Sequence, residues 1–205
     1  MKQKLLALLA ILAIGLYFFG QYSGNYLLRL IVKPVPVVVF LILLPRDSKY
    51  RKYIFFGLLF SVIGDMLLEW SPNFFVFGLV AFLTGHIAYI LAFFTRSKKM
   101  LGIPLILLAS YGIGIYWTLS PNLGEMAIPV LAYIIVILIM AWRAFAQSKF
   151  NRYAIFAVIG ALLFVLSDSL IAIDKFHTSI PFARYFIMTL YWGAQSLIFY
   201  SAYKD

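Results

Sequence analysis

Long apolar stretches alternate with short polar segments along the whole chain. Each stretch is close to the roughly 20 residues that an α-helix needs to cross the hydrocarbon core of a bilayer. Lipid offers the backbone no hydrogen-bond partner, so a helix, which pairs its own backbone groups, is the expected conformation. The pattern predicts eight membrane-spanning helices, over residues 5–20, 26–44, 53–70, 74–95, 101–119, 126–146, 153–173 and 182–203.

The composition agrees with a membrane protein and excludes a soluble one. Hydrophobic residues make up 64% of the 205-residue chain and charged residues 12%, whereas a soluble domain averages about 45–50% apolar and about 25% charged residues. No linker or low-complexity segment divides the chain. We therefore predict an all-α, polytopic helical bundle that forms a single domain over residues 1–205.

Basic residues are concentrated at both ends of the chain and in every second loop. The formal net charge of +10 does not indicate nucleic-acid binding, because the basic residues flank apolar runs, where they are explained by the orientation of the protein in the membrane. By the positive-inside rule, both termini are expected in the cytoplasm. Thirteen of the seventeen basic residues fall on that side: Lys2, Lys4, Arg46, Lys49, Arg51, Lys52, Arg96, Lys98, Lys99, Arg143, Lys149, Arg152 and Lys204.

The first apolar run begins like a signal peptide, with basic residues followed by an apolar stretch. No cleavage motif of the Ala-x-Ala type occurs at residues 20–24, so we expect an uncleaved first helix. The small, loop-poor chain is typical of a multi-pass protein of the bacterial cytoplasmic membrane.

The chain has no cysteine and two histidines, His86 and His177. This excludes disulfides and Cys-containing zinc sites, and it disfavours a His-rich metal site. The sequence also lacks the G-x-S-x-G, H-E-x-x-H and phosphate-loop motifs. We expect no metal and no cofactor.

Five ionisable residues lie inside the apolar runs, where each costs at least about 2.5–3.5 kcal/mol and usually faces the bundle interior with a partner. Measured from the cytoplasmic end of each predicted helix, Lys33, Asp65, His86 and Asp168 lie about 14–22 Å deep, near the bilayer midplane. Glu69 lies one turn beyond Asp65 and is expected to reach the outer interface. Each residue also has a structural interpretation, as an ion pair, a snorkelling lysine or a hydrogen bond in the core.

Two carboxyl groups at one level of the membrane suggest general acid–base catalysis. Burial favours the neutral form of a carboxyl group, and a second carboxylate nearby favours it further. Asp65 or Asp168 would then donate a proton while the other stays ionised, and Lys33 would stabilise the anion or meet a phosphate. The same groups suit the proton relay of a small-solute or proton-coupled transporter. A lipid-binding or scaffold protein with structural polar contacts is the third interpretation.

A short internal similarity relates the two acids. Leu59-Phe60 precedes Gly64-Asp65, and Leu163-Phe164 precedes Ser167-Asp168 after a one-residue shift. Each acid falls on the third helix of a four-helix half, which is the pattern of a parallel repeat. Chance similarity between Leu-rich helices is the alternative.

Around these residues the sequence resembles the YhhN/TMEM86 family of membrane proteins, which includes lysoplasmalogenases. Any one of the shared motifs is weak in a Leu-rich chain, but their order and spacing are specific. The motifs are Lys33-Pro34-Val35-Pro36, Gly64-Asp65-Met66-Leu67-Leu68, Phe77-Gly78 through Phe82 to His86 and Tyr89, Gly160-Ala161-Leu162-Leu163-Phe164, Ser167-Asp168-Ser169-Leu170-Ile171-Ala172, Tyr191, and Ala194-Gln195-Ser196-Leu197-Ile198.

The resemblance implies a lysoplasmalogenase, which hydrolyses the vinyl-ether bond of a lysoplasmalogen to a fatty aldehyde and a glycerophosphoethanolamine or glycerophosphocholine. It places the chemistry on Asp65 and Asp168. Vinyl-ether hydrolysis protonates carbon and passes through an oxocarbenium ion, so one neutral acid and one carboxylate are sufficient. The residues expected to bind substrate or orient water are Lys33, His86, Tyr89, Tyr191 and Gln195.

One position departs from the family pattern. Asp174 stands where an asparagine is expected, which adds a charge near the outer end of a helix and leaves the headgroup preference open. The expected partners are the lysophospholipid substrate and membrane lipids, without nucleic acid, and the sequence leaves the oligomeric state open.

Overall fold

The computed structural model describes residues 2–205, so Met1, the first residue of the predicted single domain, lies outside the described residues. Within residues 2–205 the chain forms nine α-helices and no strand, with three short 3₁₀ helices in the loops. The α-helices are α1 (Lys2–Tyr22), α2 (Tyr26–Val32), α3 (Val35–Leu43), α4 (Lys49–Trp70), α5 (Phe75–Arg96), α6 (Gly102–Leu119), α7 (Ala127–Ala146), α8 (Ala154–Phe176) and α9 (Ala183–Tyr203). The 3₁₀ helices are Pro72–Phe74, Ser120–Asn122 and Gly124–Met126.

Each predicted apolar run coincides with one helix or, for the second run, with the two helices α2 and α3, so the prediction of an all-α polytopic membrane protein is confirmed. Seven stretches are long and apolar enough to span a bilayer, with α2 and α3 together forming one of them. The remaining helix, α9, has 21 residues and carries more polar side chains, of which Gln195 and Ser201 are completely buried against other helices. The location of the termini in the cytoplasm stays a prediction.

The second crossing is interrupted at Lys33 and Pro34. Pro34 and Pro36 carry no backbone N–H and cannot donate helical hydrogen bonds. Helical bonding resumes on both sides, because the Lys33 N–H donates to the Arg29 carbonyl at 3.0 Å and the Val38 N–H donates to the Pro34 carbonyl at 3.0 Å. The result is one kinked crossing with the buried Lys33 at its bend.

One end of the bundle, called the basic end here, contains the starts of α4 and α8 and the end of α9. Some of its arginines fix loops and helix ends in place. Arg51 Nε donates to the Ala202 carbonyl at 2.9 Å, and the buried Arg143 donates to the Lys99 carbonyl at 2.8 Å. The predicted excess of basic residues on one side therefore includes side chains with a structural role.

The opposite end of the bundle, called the far end, contains the ends of α4 and α8 and the starts of α2, α5 and α9. The Tyr26 hydroxyl donates to the Trp70 carbonyl at 2.6 Å and joins α2 to the end of α4. The carboxylate of Asp174 accepts from the Ile180 N–H at 2.8 Å. Asp174 thus stabilises the loop between α8 and α9.

Two tightly packed helix pairs, α4 with α5 and α8 with α9, form the centre of the bundle. Glycines permit this approach, as is usual for helices in membranes. A Cβ atom at Gly64 would lie 2.6 Å from the Phe82 ring, and one at Gly160 would lie 2.8 Å from the Ala194 carbonyl oxygen. Outside the pairs, α5 packs on α7 and α9 packs on α3. Each pair contains one of the two acids, Asp65 on α4 and Asp168 on α8.

Candidate active site

Asp65 of α4 and Asp168 of α8 line the same cavity, which has a volume of about 110 Å³. Asp65 is 1% exposed, and Asp168 is half-buried. Lys33 of the kinked crossing and Tyr191 of α9 also line this cavity. Four residues that the sequence predicted for the site thus line one cavity, and each comes from a different crossing.

Both acids lie nearer to the far end of their helices than to the basic end. Asp65 precedes the last residue of α4, Trp70, by five positions, which is about 7.5 Å along the helix axis. Asp168 precedes the last residue of α8, Phe176, by eight positions, or about 12 Å. Because α4 begins at Lys49, four residues before the predicted start, Asp65 lies about 24 Å along the axis from the basic end of its helix; its position relative to the bilayer midplane stays a prediction.

Each acid accepts a hydrogen bond from a tyrosine of a neighbouring helix. The Tyr191 hydroxyl donates to Asp65 Oδ2 at 2.7 Å, and the Tyr133 hydroxyl of α7 donates to Asp168 Oδ2 at 2.5 Å. Both tyrosines are buried and line the cavity. A phenol donor fixes the orientation of each carboxyl group and stabilises its ionised form.

Four charged side chains form a group beside the cavity, called the Glu69 cluster here: Arg29, Lys33, Glu69 and Arg184. Glu69 Oε1 accepts from Arg29 Nε at 2.9 Å and lies 3.7 Å from an Arg184 guanidinium nitrogen. Glu69 Oε2 accepts from Lys33 Nζ at 3.3 Å. Glu69 directly precedes the last residue of α4, and its side chain is only 6% exposed, so it lies inside the bundle among its ion-pair partners; the expectation that it reaches the outer interface of the membrane stays a prediction.

Lys33 belongs to both the cavity and the Glu69 cluster. Its ammonium group pairs with Glu69, so the structure selects the ion pair rather than the snorkelling lysine that the sequence left open. The same side chain lines the cavity with Asp65. Lys33 thus connects the two acids to the charged groups at the far end.

Three predicted site residues lie beside the cavity and are not part of its lining. The Tyr89 hydroxyl donates to Gln195 Oε1 at 2.6 Å, which joins α5 to α9 in the core. His86 is 1% exposed and packs edge-on against the rings of Phe164 and Tyr133, with ring centroids 4.6 and 5.4 Å apart. All three residues therefore lie in the core behind the cavity wall.

Two residues of the site were missed in the sequence analysis, and both leave a signal. Tyr133 lies in the middle of an apolar run, away from the interfaces where membrane tyrosines are enriched. Arg29 lies one helical turn before Lys33, so the pair places two cations on one helix face within a crossing. A pair of cations at this position predicts an acidic partner inside the bundle.

The site combines the parts of an acid–base centre with an apolar surrounding. Phe82, Val165 and Met188 are among the apolar residues of the cavity wall. Within residues 2–205, no three histidine, aspartate or glutamate side chains gather closely enough to hold a metal ion. In a cavity of low polarity, charge on one carboxylate acts strongly on a neighbouring group.

The chain matches a family model and several proteins that are named lysoplasmalogenases. The model of the YhhN family matches residues 28–202. The chain is 35% identical over 178 residues to lysoplasmalogenase TMEM86B of Homo sapiens, covering 85% of this chain and 75% of that protein. It is 39% identical over 171 residues to lysoplasmalogenase TMEM86A of Bos taurus, covering 80% and 69%.

A bacterial protein is also related. The lysoplasmalogenase of Mycobacterium bovis is 31% identical over 140 residues, covering 63% of this chain and 52% of that protein. A comparison with solved structures gives no significant match. The family match includes both acids, both tyrosines and the whole Glu69 cluster. The chain therefore belongs to the YhhN family.

Proposed function

We propose that this protein is a lysoplasmalogenase that hydrolyses the vinyl-ether bond of lysoplasmalogens by two-carboxyl acid–base catalysis. The observation that carries the proposal is the shared cavity of Asp65 and Asp168. Relatives that are named lysoplasmalogenases match most of the chain, and they supply the substrate class. The products are a fatty aldehyde and a glycerophosphoethanolamine or glycerophosphocholine.

The reaction consumes one water and returns both acids to their starting state. The protonated acid donates its proton to the outer vinyl carbon, which leaves an oxocarbenium ion on the carbon attached to oxygen. The second carboxylate stabilises this cation and takes a proton from the attacking water, as paired carboxylates do in glycoside hydrolysis. The resulting hemiacetal collapses: the second acid protonates the departing glycerol oxygen, and the first carboxylate takes the hydroxyl proton.

The tyrosines orient the carboxyl groups for this sequence. Each hydroxyl donates a hydrogen bond to one oxygen of its carboxyl group, at 2.7 Å for Asp65 and 2.5 Å for Asp168. This bond limits rotation of the carboxyl group. Asp65 shares α4 with Glu69, the ion-pair partner of Lys33, but the two acids form one coupled pair, and either fits either role. Proton transfer to carbon is slow in water, so a fixed geometry in a dry cavity contributes to the rate.

The size of the cavity indicates which part of the substrate it holds. A volume of about 110 Å³ is below the roughly 300–1,000 Å³ of pockets that enclose a whole ligand. It has room for the vinyl ether and a water, whereas the long alkenyl chain extends between helices or into lipid. The wall near α6 suits this exit, because α6 contributes Ile115 to the cavity lining and carries exposed apolar residues such as Ile106 and Ile113.

The protein acts within a membrane as a multi-pass enzyme, and we place it in the bacterial cytoplasmic membrane. The substrate is itself a membrane lipid, so it reaches the cavity sideways from the bilayer. The acids lie within about 12 Å of the helix ends, at a depth that suits an ether bond next to a lipid headgroup.

Aldehyde release by the purified protein tests the proposal. Wild-type protein in detergent should release fatty aldehyde from a lysoplasmalogen without any ion gradient. Asp65→Asn and Asp168→Asn should each lower the turnover number by at least about 1,000-fold, since general acid–base groups contribute about 10²–10⁴-fold each and here act as a unit. Elution volume and thermal stability show whether the variants stay folded.

Asp174→Asn is the matched control, because it makes the same change on α8 at a carboxylate outside the cavity lining. Its turnover should equal that of the wild type. Near-full turnover in both cavity variants would exclude the two-acid mechanism. A transporter that uses the same acids would release no aldehyde and would instead accumulate solute in vesicles.

A further inference from the structure

The Glu69 cluster carries more positive than negative charge. Arg29, Lys33 and Arg184 surround the single carboxylate of Glu69. The Arg29 and Lys33 side chains are only 14% and 8% exposed, so solvent screens them weakly. In the proposed mechanism one cavity acid is protonated, and three cations then face at most two carboxylates. An excess of positive charge in an apolar surrounding is costly unless an anion binds there.

The position of the cluster relative to the acids matches the dimensions of the substrate. Asp65 and Glu69 are four residues apart on α4, which is about 6 Å along the helix axis. In a lysoplasmalogen, five covalent bonds separate the ether oxygen from the phosphorus atom, which is about 6 Å for an extended chain. A vinyl ether at Asp65 therefore brings the phosphate to the level of Glu69 when the glycerol points to the far end.

We propose that the Glu69 cluster binds the phosphodiester of the lysophospholipid, with Arg29, Lys33 and Arg184 as the anion-binding groups and Glu69 as the residue that positions them. This inference rests on the proposed function, because it names the headgroup site of the same reaction. A phosphodiester carries one negative charge, which neutralises the excess charge of the cluster.

The three cations have different access to the headgroup. Arg184 is 55% exposed and lies 3.7 Å from Glu69, so its guanidinium is free to turn toward a phosphate at the far end and to contact two oxygens at once. Arg29 is held by Glu69 and by Gln21 Oε1, the latter at 3.3 Å. The cluster thus has a buried part, Arg29 with Lys33 and Glu69, and one exposed arginine, Arg184.

Binding of two uncleavable analogues tests this site without hydrolysis. Both are 1-O-alkyl lipids without a vinyl double bond: one is an alkylglycerophosphoethanolamine and the other is an alkylglycerol that lacks the phosphate. Wild-type protein in detergent should bind the phospholipid analogue at least about tenfold more tightly, since hydrogen bonds between charged groups contribute that much affinity. Inorganic phosphate alone serves as a third probe and should bind far more weakly.

Arg184→Gln should weaken binding of the phospholipid analogue by about tenfold and leave binding of alkylglycerol unchanged. Arg184→Lys, which keeps the charge, should recover part of this loss. Lys175→Gln is the matched control, since it removes an exposed cation near the same end that lies over the Phe75 ring, 4.2 Å from the ring centroid, and is not in the cluster. Its affinities should equal those of the wild type.

The outcomes separate this inference from the proposed function. Equal affinity of the wild type for the two lipids overturns the phosphate site. So does an Arg184→Gln variant in which the affinities for both lipids fall equally, or in which neither affinity falls. Inorganic phosphate that binds as tightly as the lipid analogue also overturns it. Selective binding of the phospholipid analogue, without aldehyde release from a lysoplasmalogen, supports the phosphate site and refutes the hydrolase.

Discussion

The two tyrosine–aspartate hydrogen bonds allow a sharp test of how the acids are oriented. Tyr133→Phe and Tyr191→Phe each remove one hydroxyl and keep the ring, so packing in the cavity wall changes little. Each variant deletes a single bond, of 2.5 Å to Asp168 or 2.7 Å to Asp65. A hydrogen bond to a charged group contributes about 1.5–3 kcal/mol.

That free energy predicts the size of the effect. If the bond stabilises the ionised acid in the transition state, its loss lowers the turnover number by about 10- to 100-fold. The Michaelis constant should change little, because the tyrosines contact the acids rather than the lipid headgroup. Initial rates of aldehyde release over a range of lysoplasmalogen concentrations in mixed micelles give both parameters.

Tyr89→Phe is the matched control for this experiment. It removes an equally buried hydroxyl, which donates to Gln195 at 2.6 Å in the core outside the cavity lining. Its thermal stability should fall while the turnover number stays within about twofold of the wild type, since a lost hydrogen bond in the core affects folding. If all three variants lose the same activity, or none does, the tyrosines do not orient the catalytic acids.

Two further substitutions test the packing and the charges around the site. Gly64→Ala should lower the free energy of unfolding by about 1–3 kcal/mol, because the new Cβ would lie 2.6 Å from the Phe82 ring; Gly114→Ala, in open space, should be neutral or slightly stabilising. Glu69→Gln should lower the free energy of unfolding by about 3–5 kcal/mol, since it leaves Arg29 and Lys33 buried without their carboxylate. Unfolding by denaturant in detergent measures these changes, and a Glu69→Gln variant as stable as the wild type would contradict the assigned ion pairs.

The candidate site was only partly predictable from the sequence. Asp65, Asp168 and Lys33 were identifiable because a charge in an apolar run is costly and needs a reason. Tyr191 was identified through the family resemblance. Tyr133 was missed, since a tyrosine in the middle of an apolar run costs far less than a charge and gives a weaker signal. His86 and Gln195 were expected at the substrate, and the structure places them behind the cavity wall.

The sequence by itself determined that the chain folds into long apolar helices and roughly where each one lies, because the length of an apolar run and the helical pairing of backbone groups in lipid are local properties. It also determined that the side chains of Asp65 and Asp168 must face the interior of the bundle rather than lipid. The tertiary structure alone decided that they share a cavity, that Tyr133 and Tyr191 hold them, and that Glu69 is buried among cations. These contacts depend on the rotation of each helix about its axis, which side-chain packing across the whole bundle sets and no single segment encodes.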